Sequence, residues 1–109
     1  LIIEDFKRIF KDVDMILGPT MPVTAMKLGE LKNYPFFGEL MDVLTEPTSI
    51  AGLPAMNIPV GLDSNSLPIG MQLIGRHFDE ESLLNMAYQF EKETDFFSVI
   101  KKGIRNYKD

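Results

Sequence analysis

Few residues of this 109-residue chain can do chemistry. With no cysteine and a single histidine, His77, the chain has no thiolate nucleophile, no Cys-ligated zinc and no multi-histidine metal site. The serines are Ser49, Ser64, Ser66, Ser82 and Ser98. A serine nucleophile needs a base within hydrogen-bond reach and often a strained turn to expose its hydroxyl. None of the five lies in a Gly-x-Ser-x-Gly elbow, and turn or helix-start chemistry accounts for them. His77 stands between a strand and a helix, where it could poise at a cleft mouth; a lone histidine in such a place more often serves the loop it sits in. Asp79, Glu80 and Glu81 could hold a cation, but helix-start electrostatics explains them more simply.

Asp42 is the more interesting acid. It follows a long loop, near the start of a helix that ends at Ile50-Ala51-Gly52, and its neighbours are Leu40, Met41, Val43 and Leu44. It faces either solvent or a pocket. In a pocket it is suited to a cationic group such as an α-ammonium, through a charge-assisted hydrogen bond.

Composition narrows the partners. The chain carries 11 Lys+Arg against 16 Asp+Glu, a formal net charge of −5, and the basic residues are scattered. Nucleic-acid binding draws most of its affinity from basic side chains on phosphates, so this balance argues against direct nucleic-acid binding. No apolar run approaches the ~20 residues that span a bilayer, and no secretory or transit pattern opens the chain. These features read as a soluble, cytoplasmic domain with no membrane partner.

The elements that must position these residues follow from periodicity. Ile2, Phe6, Ile9, Phe10 and Val13 form a helical stripe. No Ser, Thr, Asp or Asn caps that helix and no initiator Met precedes it, so the chain reads as a piece of a larger protein. Met15-Ile16-Leu17, closed by Gly18-Pro19, fits a strand buried on both faces, as in a parallel sheet. Residues 18–38 carry Pro19, Pro22, Gly29, Pro35 and Gly38, and loops of that length are more often functional or disordered than idle. Glu39 to Ala51 reads as a helix that either kinks or restarts at Pro47, with Gly52 as its C-terminal stop. Ala55–Gly61 and Ile69–Gly75 read as two strands paired as an antiparallel hairpin around Asp63-Ser64-Asn65-Ser66. Pro59 sets the first of them at an edge or makes it a strand end. Asp79 is the expected N-cap of a last helix whose apolar face holds Leu83, Ala87 and Phe90 with Leu84 and Tyr88. From Asp95 the pattern decays, and residues 95–109 read as a weakly ordered tail of one domain spanning 1–109.

The run Asp42-Val43-Leu44-Thr45-Glu46-Pro47-Thr48-Ser49-Ile50-Ala51-Gly52-Leu53-Pro54 continues through Asn57-Ile58-Pro59-Val60-Gly61. Leu67-Pro68-Ile69-Gly70-Met71-Gln72 and Phe78-Asp79-Glu80 follow it, and Ile16-x-Gly-Pro-Thr-x-Pro precedes it. In this order the motifs resemble the C-terminal part of the amidase signature family. Within it the likeness is to the glutaminase subunits of tRNA-dependent amidotransferases, over about residues 1 to 95. Ser49 departs from the commoner pattern. Much of the pattern also has a scaffold meaning: Gly52 stops a helix, Gly70 admits a close approach, and Gln72 can satisfy buried polar groups beside it.

The resemblance implies an α/β class, the C-terminal portion of an α/β/α fold with a mixed sheet, ordered helix, strand, long loop, helix, β-hairpin, helix. It implies that the family's Ser–Ser–Lys triad lies upstream, so this chain holds no catalytic residue and should be inert alone. Asp42 matches the family acid that helps hold substrate glutamine. The whole complex would use ATP and magnesium, neither bound by this piece. Its glutaminase component would pass ammonia to the B subunit, with the C subunit also present, to amidate Glu-tRNA(Gln) or Asp-tRNA(Asn). Contact with tRNA would then be indirect. The other readings are a piece of an amidase acting on another small amide, and a non-catalytic interaction module. A piece cut from a continuous core should also self-associate.

Overall fold

A computed structural model describes residues 1–106, with side chains described to residue 102. Its organising element is a hairpin. Strand β2 (Ala55–Leu62) pairs antiparallel with β3 (Pro68–Ile74), and β1 (Ile16–Pro19) joins the other side of β3. The order β1-β3-β2 makes β3 central. Gln72 of β3 therefore stands beside both Gly18 and Asn57.

Side chains alternate across a strand, so neighbouring residues of β3 serve opposite faces. Leu73 packs with Ile58 against Leu83 and Ala87 of helix α4 (Glu80–Thr94). Ile74 packs with Ala51 and Leu53 under Phe6, Phe10 and Ile16, which brings helices α1 (Ile2–Ile9) and α3 (Glu46–Ala51) to the other face. The architecture is α/β, with helices over both faces of a small sheet. No parallel strand pair occurs among the described residues.

The hairpin forms as its sequence directs. The Asp63 N–H donates to the Leu67 carbonyl at 2.9 Å, Ser66 N–H donates to the Asp63 carbonyl at 3.0 Å, and Ser66 adopts φ 65°. This is the three-residue loop in which a turn is closed by a left-handed residue. Pro59 lies on an edge strand, and the register slips by one residue between Pro59 and Gly61, a β-bulge at Val60.

Helix α3 carries Pro47 in its first turn, so the chain restarts there; α2 (Phe37–Asp42) is a separate short helix. Gly52 at φ 68° closes α3 with two reversed bonds, Gly52 N–H to the Ser49 carbonyl at 3.2 Å and Leu53 N–H to the Thr48 carbonyl at 3.1 Å. That pairing is the Schellman arrangement. A 3-10 turn (Glu30–Asn33) interrupts the long loop.

Four expectations are corrected. Helix α1 ends at Ile9, so Val13 falls outside it, in the turn that leads to β1. Strand β1 is antiparallel and on the sheet edge, not buried on both faces: Leu17 is 59% exposed. On α4 the buried stripe is Leu83 and Ala87, whereas Leu84 and Tyr88 point to solvent, because one helix face covers only a narrow arc. The chain past Asp95 is helical: α5 (Phe96–Asn106) begins where Asp95 adopts φ 44°, and Phe96 is buried. Phe96 and Ile100 share a helical face, which is the signal the decaying pattern hides. The final residues of the expected tail, 107–109, lie outside the described residues.

Candidate functional site

On the α3 side of the sheet, a cleft of about 950 Å³ opens between three segments. Asn57, Pro59 and Gly70 of the hairpin form its floor; the loop from Pro19 to Leu31 forms one wall; Phe37, Met41 and Asp42 of α2 form the other. The long loop thus encloses a space.

Two side-chain bonds seat that loop. The Thr20 hydroxyl donates to Asn57 Oδ1, and its backbone N–H donates to the Gly70 carbonyl at 3.3 Å. A Cβ at Gly70 would stand 3.2 Å from Thr20 Oγ1 and would run into the Asn57 amide, so a side chain there would have to displace the Thr20–Asn57 bond. Further along, the Thr24 hydroxyl donates to Asp63 Oδ2 at 2.6 Å, while Asp63 Oδ1 accepts the N–H groups of Asn65 and Leu67 at 2.8 and 2.9 Å. These bonds, the Thr24 hydroxyl foremost, hold the Asp63 carboxyl below its ordinary 3.8 against the opposing effect of desolvation.

The cleft lining is mostly apolar and its charged residues are Lys27 and Asp42. Asp42 is exposed within it. Among the described residues no side chain bonds or pairs with its carboxylate. It closes the C-terminal end of α2, where the helix dipole disfavours an anion, so helix stability does not account for an acid here. A carboxylate against apolar walls, with no partner among the described residues, has the chemistry to accept a cationic group such as an ammonium.

The other candidates are structural. His77 Nε2 lies 3.0 Å from the Ala51 carbonyl, at the end of α3; the histidine caps a helix. Asp79 precedes α4 without capping it through its side chain, and accepts instead the Ser82 hydroxyl at 2.7 Å. Ser98 makes the same bond to Asp95 at 3.0 Å. Ser49 is exposed on α3, its hydroxyl 3.4 Å from the Thr45 carbonyl, and Ser64 and Ser66 lie in the hairpin turn. None of the five serines has a basic partner among the described residues, and no three metal-ligating side chains cluster there.

Sequence reasoning missed Asn57, Thr20 and Thr24 as parts of the cleft. Asn57 carries the one available signal, a polar residue in a strand whose neighbours are apolar. The anticipated polar role of Gln72 is visible: its Nε2 donates to the Leu44 carbonyl at 3.0 Å.

The comparisons with known proteins agree with one another. The amidase family model matches residues 1–84. The chain is 48% identical over 96 residues to the A subunit of the glutamyl-tRNA(Gln) amidotransferase of Latilactobacillus sakei, covering 88% of this chain and 20% of that protein. The crystal structure of the corresponding protein from Thermotoga maritima superposes with a TM-score of 0.75 at 41% identity, over 83% of this chain and 20% of that one. An allophanate hydrolase from Kluyveromyces lactis superposes with a TM-score of 0.73 at 31% identity, over 82% of this chain and 14% of that one. The chain thus spans about a fifth of the length of the curated relatives it matches. With a matching family model over most of its residues and a shared fold, the chain belongs to the amidase family.

Proposed function

We propose that the complete protein is the glutamine-hydrolysing component of a tRNA-dependent amidotransferase, and that Asp42 receives the α-ammonium of substrate glutamine. The observation that carries the Asp42 assignment is its unpartnered carboxylate in the wall of an apolar cleft. The choice of glutamine over other amides rests on the likeness to the A subunits of glutamyl-tRNA(Gln) amidotransferases. In this reading the reactive groups belong to the part of the protein beyond this chain. Released ammonia passes to the B subunit of a complex that also contains the C subunit, in the cytoplasm, and contact with tRNA falls to the partners.

In this reading ATP and magnesium are used by the complex and are held outside the cleft described here. The cleft offers one carboxylate and one ammonium, and no glycine-rich phosphate loop lines it. No helix of the described residues is long and apolar enough to cross a membrane.

A second reading is favoured by the likeness to allophanate hydrolase: an amidase of this family acting on another small amide. One experiment separates them. In the complete protein with its partner subunits, Asp42→Asn should raise KM for glutamine about tenfold or more, the cost of removing one charge-assisted hydrogen bond to the substrate. The monoamide of glutaric acid, which is glutamine without its α-ammonium, should be hydrolysed with an unchanged KM. An unchanged KM for glutamine would remove the assignment, and wild-type protein that prefers the ammonium-free amide would favour the second reading.

A further inference from the structure

Helix α2 presents Asp42 to the cleft yet has little to hold it there. It spans Phe37–Asp42, has no side-chain cap, and buries none of its residues. A helix that short is not stable by itself. The precision of its last residue must come from the chain that follows.

That chain is tied down by two buried polar side chains. Gln72 is 5% exposed and Thr48 3% exposed, the two buried polar residues among those described. Gln72 Nε2 donates to the Leu44 carbonyl at 3.0 Å, gripping the backbone two residues beyond Asp42. The Thr48 hydroxyl donates to the Thr45 carbonyl at 2.7 Å and stands 3.4 Å from Gln72 Oε1. Thr45 completes the link, because its N–H and its hydroxyl both reach the Asp42 carbonyl, at 3.0 and 3.3 Å. Flipping the Gln72 amide would set its oxygen against the Leu44 carbonyl, so the geometry fixes its orientation.

The anchor also has the right origin. Gln72 belongs to the central strand, bonded on both sides, whereas α2 is joined to the body through loops. Buried hydrogen bonds from such a strand are stronger than exposed ones and carry a high cost when broken.

We infer that Gln72 and Thr48 are positioning residues for Asp42: they fix the α2–α3 junction to the central strand, and so fix where the ammonium-binding carboxylate stands. The inference rests on the reading of Asp42 given above. Neither side chain lines the cleft, so neither touches substrate.

The test uses the complete protein with its partners, and compares glutamine with the monoamide of glutaric acid. In Gln72→Leu, KM for glutamine should rise about tenfold, the scale expected when a binding group is misplaced by a fraction of an ångström, with kcat within about twofold. Thr48→Val should raise it about threefold, and Thr48→Ser, which keeps the hydroxyl, should behave as wild type. KM for the ammonium-free amide should not move in any of them. Added to Asp42→Asn, Gln72→Leu should have no further effect on glutamine KM, since both act through one interaction.

Equal losses for both amides, or full additivity with Asp42→Asn, would reduce Gln72 to a general core residue and overturn the inference. If Gln72→Leu does not fold, the near-isosteric Thr48→Val and Thr48→Ser pair decides the matter. A KM shift in Asp42→Asn with none in Gln72→Leu or Thr48→Val removes the positioning role alone. No shift in Asp42→Asn removes the reading of Asp42, and the positioning role with it.

Discussion

The Thr24 hydroxyl and the Asp63 carboxylate, 39 positions apart in the chain, meet at 2.6 Å and fasten the wall of the cleft to the tip of the hairpin. The same carboxylate organises the turn by accepting the Asn65 and Leu67 N–H groups, so one ionised side chain maintains both turn and wall.

This gives a pH dependence with a definite sign. The bonds that lower the Asp63 pKa in the folded protein stabilise it, fully above the ordinary value of 3.8. That contribution is lost as pH falls through the depressed folded-state value. Wild type should therefore exceed Asp63→Ala in thermal stability by a constant margin at neutral pH, and the margin should shrink on acidification below 3.8. Melting curves across that range check it; a margin that grows on acidification would contradict the bonding described.

Two residues in the left-handed region should respond oppositely to substitution. At Gly52 a Cβ would meet nothing nearer than His77 Nε2 at 3.8 Å, so the penalty is conformational. Gly52→Ala should cost about 1 kcal/mol. Ser66 sits at φ 65° where glycine is favoured, and Ser66→Gly should stabilise by about 0.5 kcal/mol, since relief of strain exceeds the added freedom of the unfolded chain. Urea titrations of both variants read the two signs.

Leu73 is 0% exposed at the centre of the sheet and packs beside Ile58, Leu83 and Ala87. Leu73→Ala should lower the unfolding free energy by about 3 kcal/mol, from lost transfer energy and the cavity left behind. The denaturant midpoint should fall with an unchanged slope. A loss under about 1 kcal/mol would mean the site collapses around the smaller side chain.

The chain displays large apolar side chains to solvent, among them Leu28, Phe36 and Phe78, the last 93% exposed at φ 61°. A bulky residue held in that region is an outlier, and apolar surface of this extent promotes association. The 109-residue chain alone should show a concentration-dependent rise in mass by light scattering. The complete protein should show less. A monodisperse monomer at high concentration would contradict this.

The hairpin was legible because its signals are local. Gly and Pro punctuate both strands, the turn residues sit between them, and a two-residue period assigns the faces. Gly52 as a helix stop was legible for the same reason. The end of α1 was not, since Val13 fits the helical period, while the chain past Ile9 is held by the distant Arg76, which donates to the Phe10 and Val13 carbonyls at 3.1 and 3.0 Å. The location of Asp42 in a cleft wall depends on where residues 19–31 fold, through the Thr20 and Thr24 bonds to residues far along the chain. Such contacts leave no periodic trace. Gln72 showed itself as a polar residue in an apolar strand, but its partner, the Leu44 carbonyl, carries no side-chain signature at all.

The slip at Val60 matters beyond the hairpin itself. Strand β2 borders the sheet, and a foreign extended segment approaching it would seek an uninterrupted row of outward-facing amides and carbonyls. Pro59 supplies no amide, and the extra residue beside it throws the spacing out of phase. Growth of an intermolecular ladder along this border would stall halfway, so the irregularity guards the chain against fibrous self-templating.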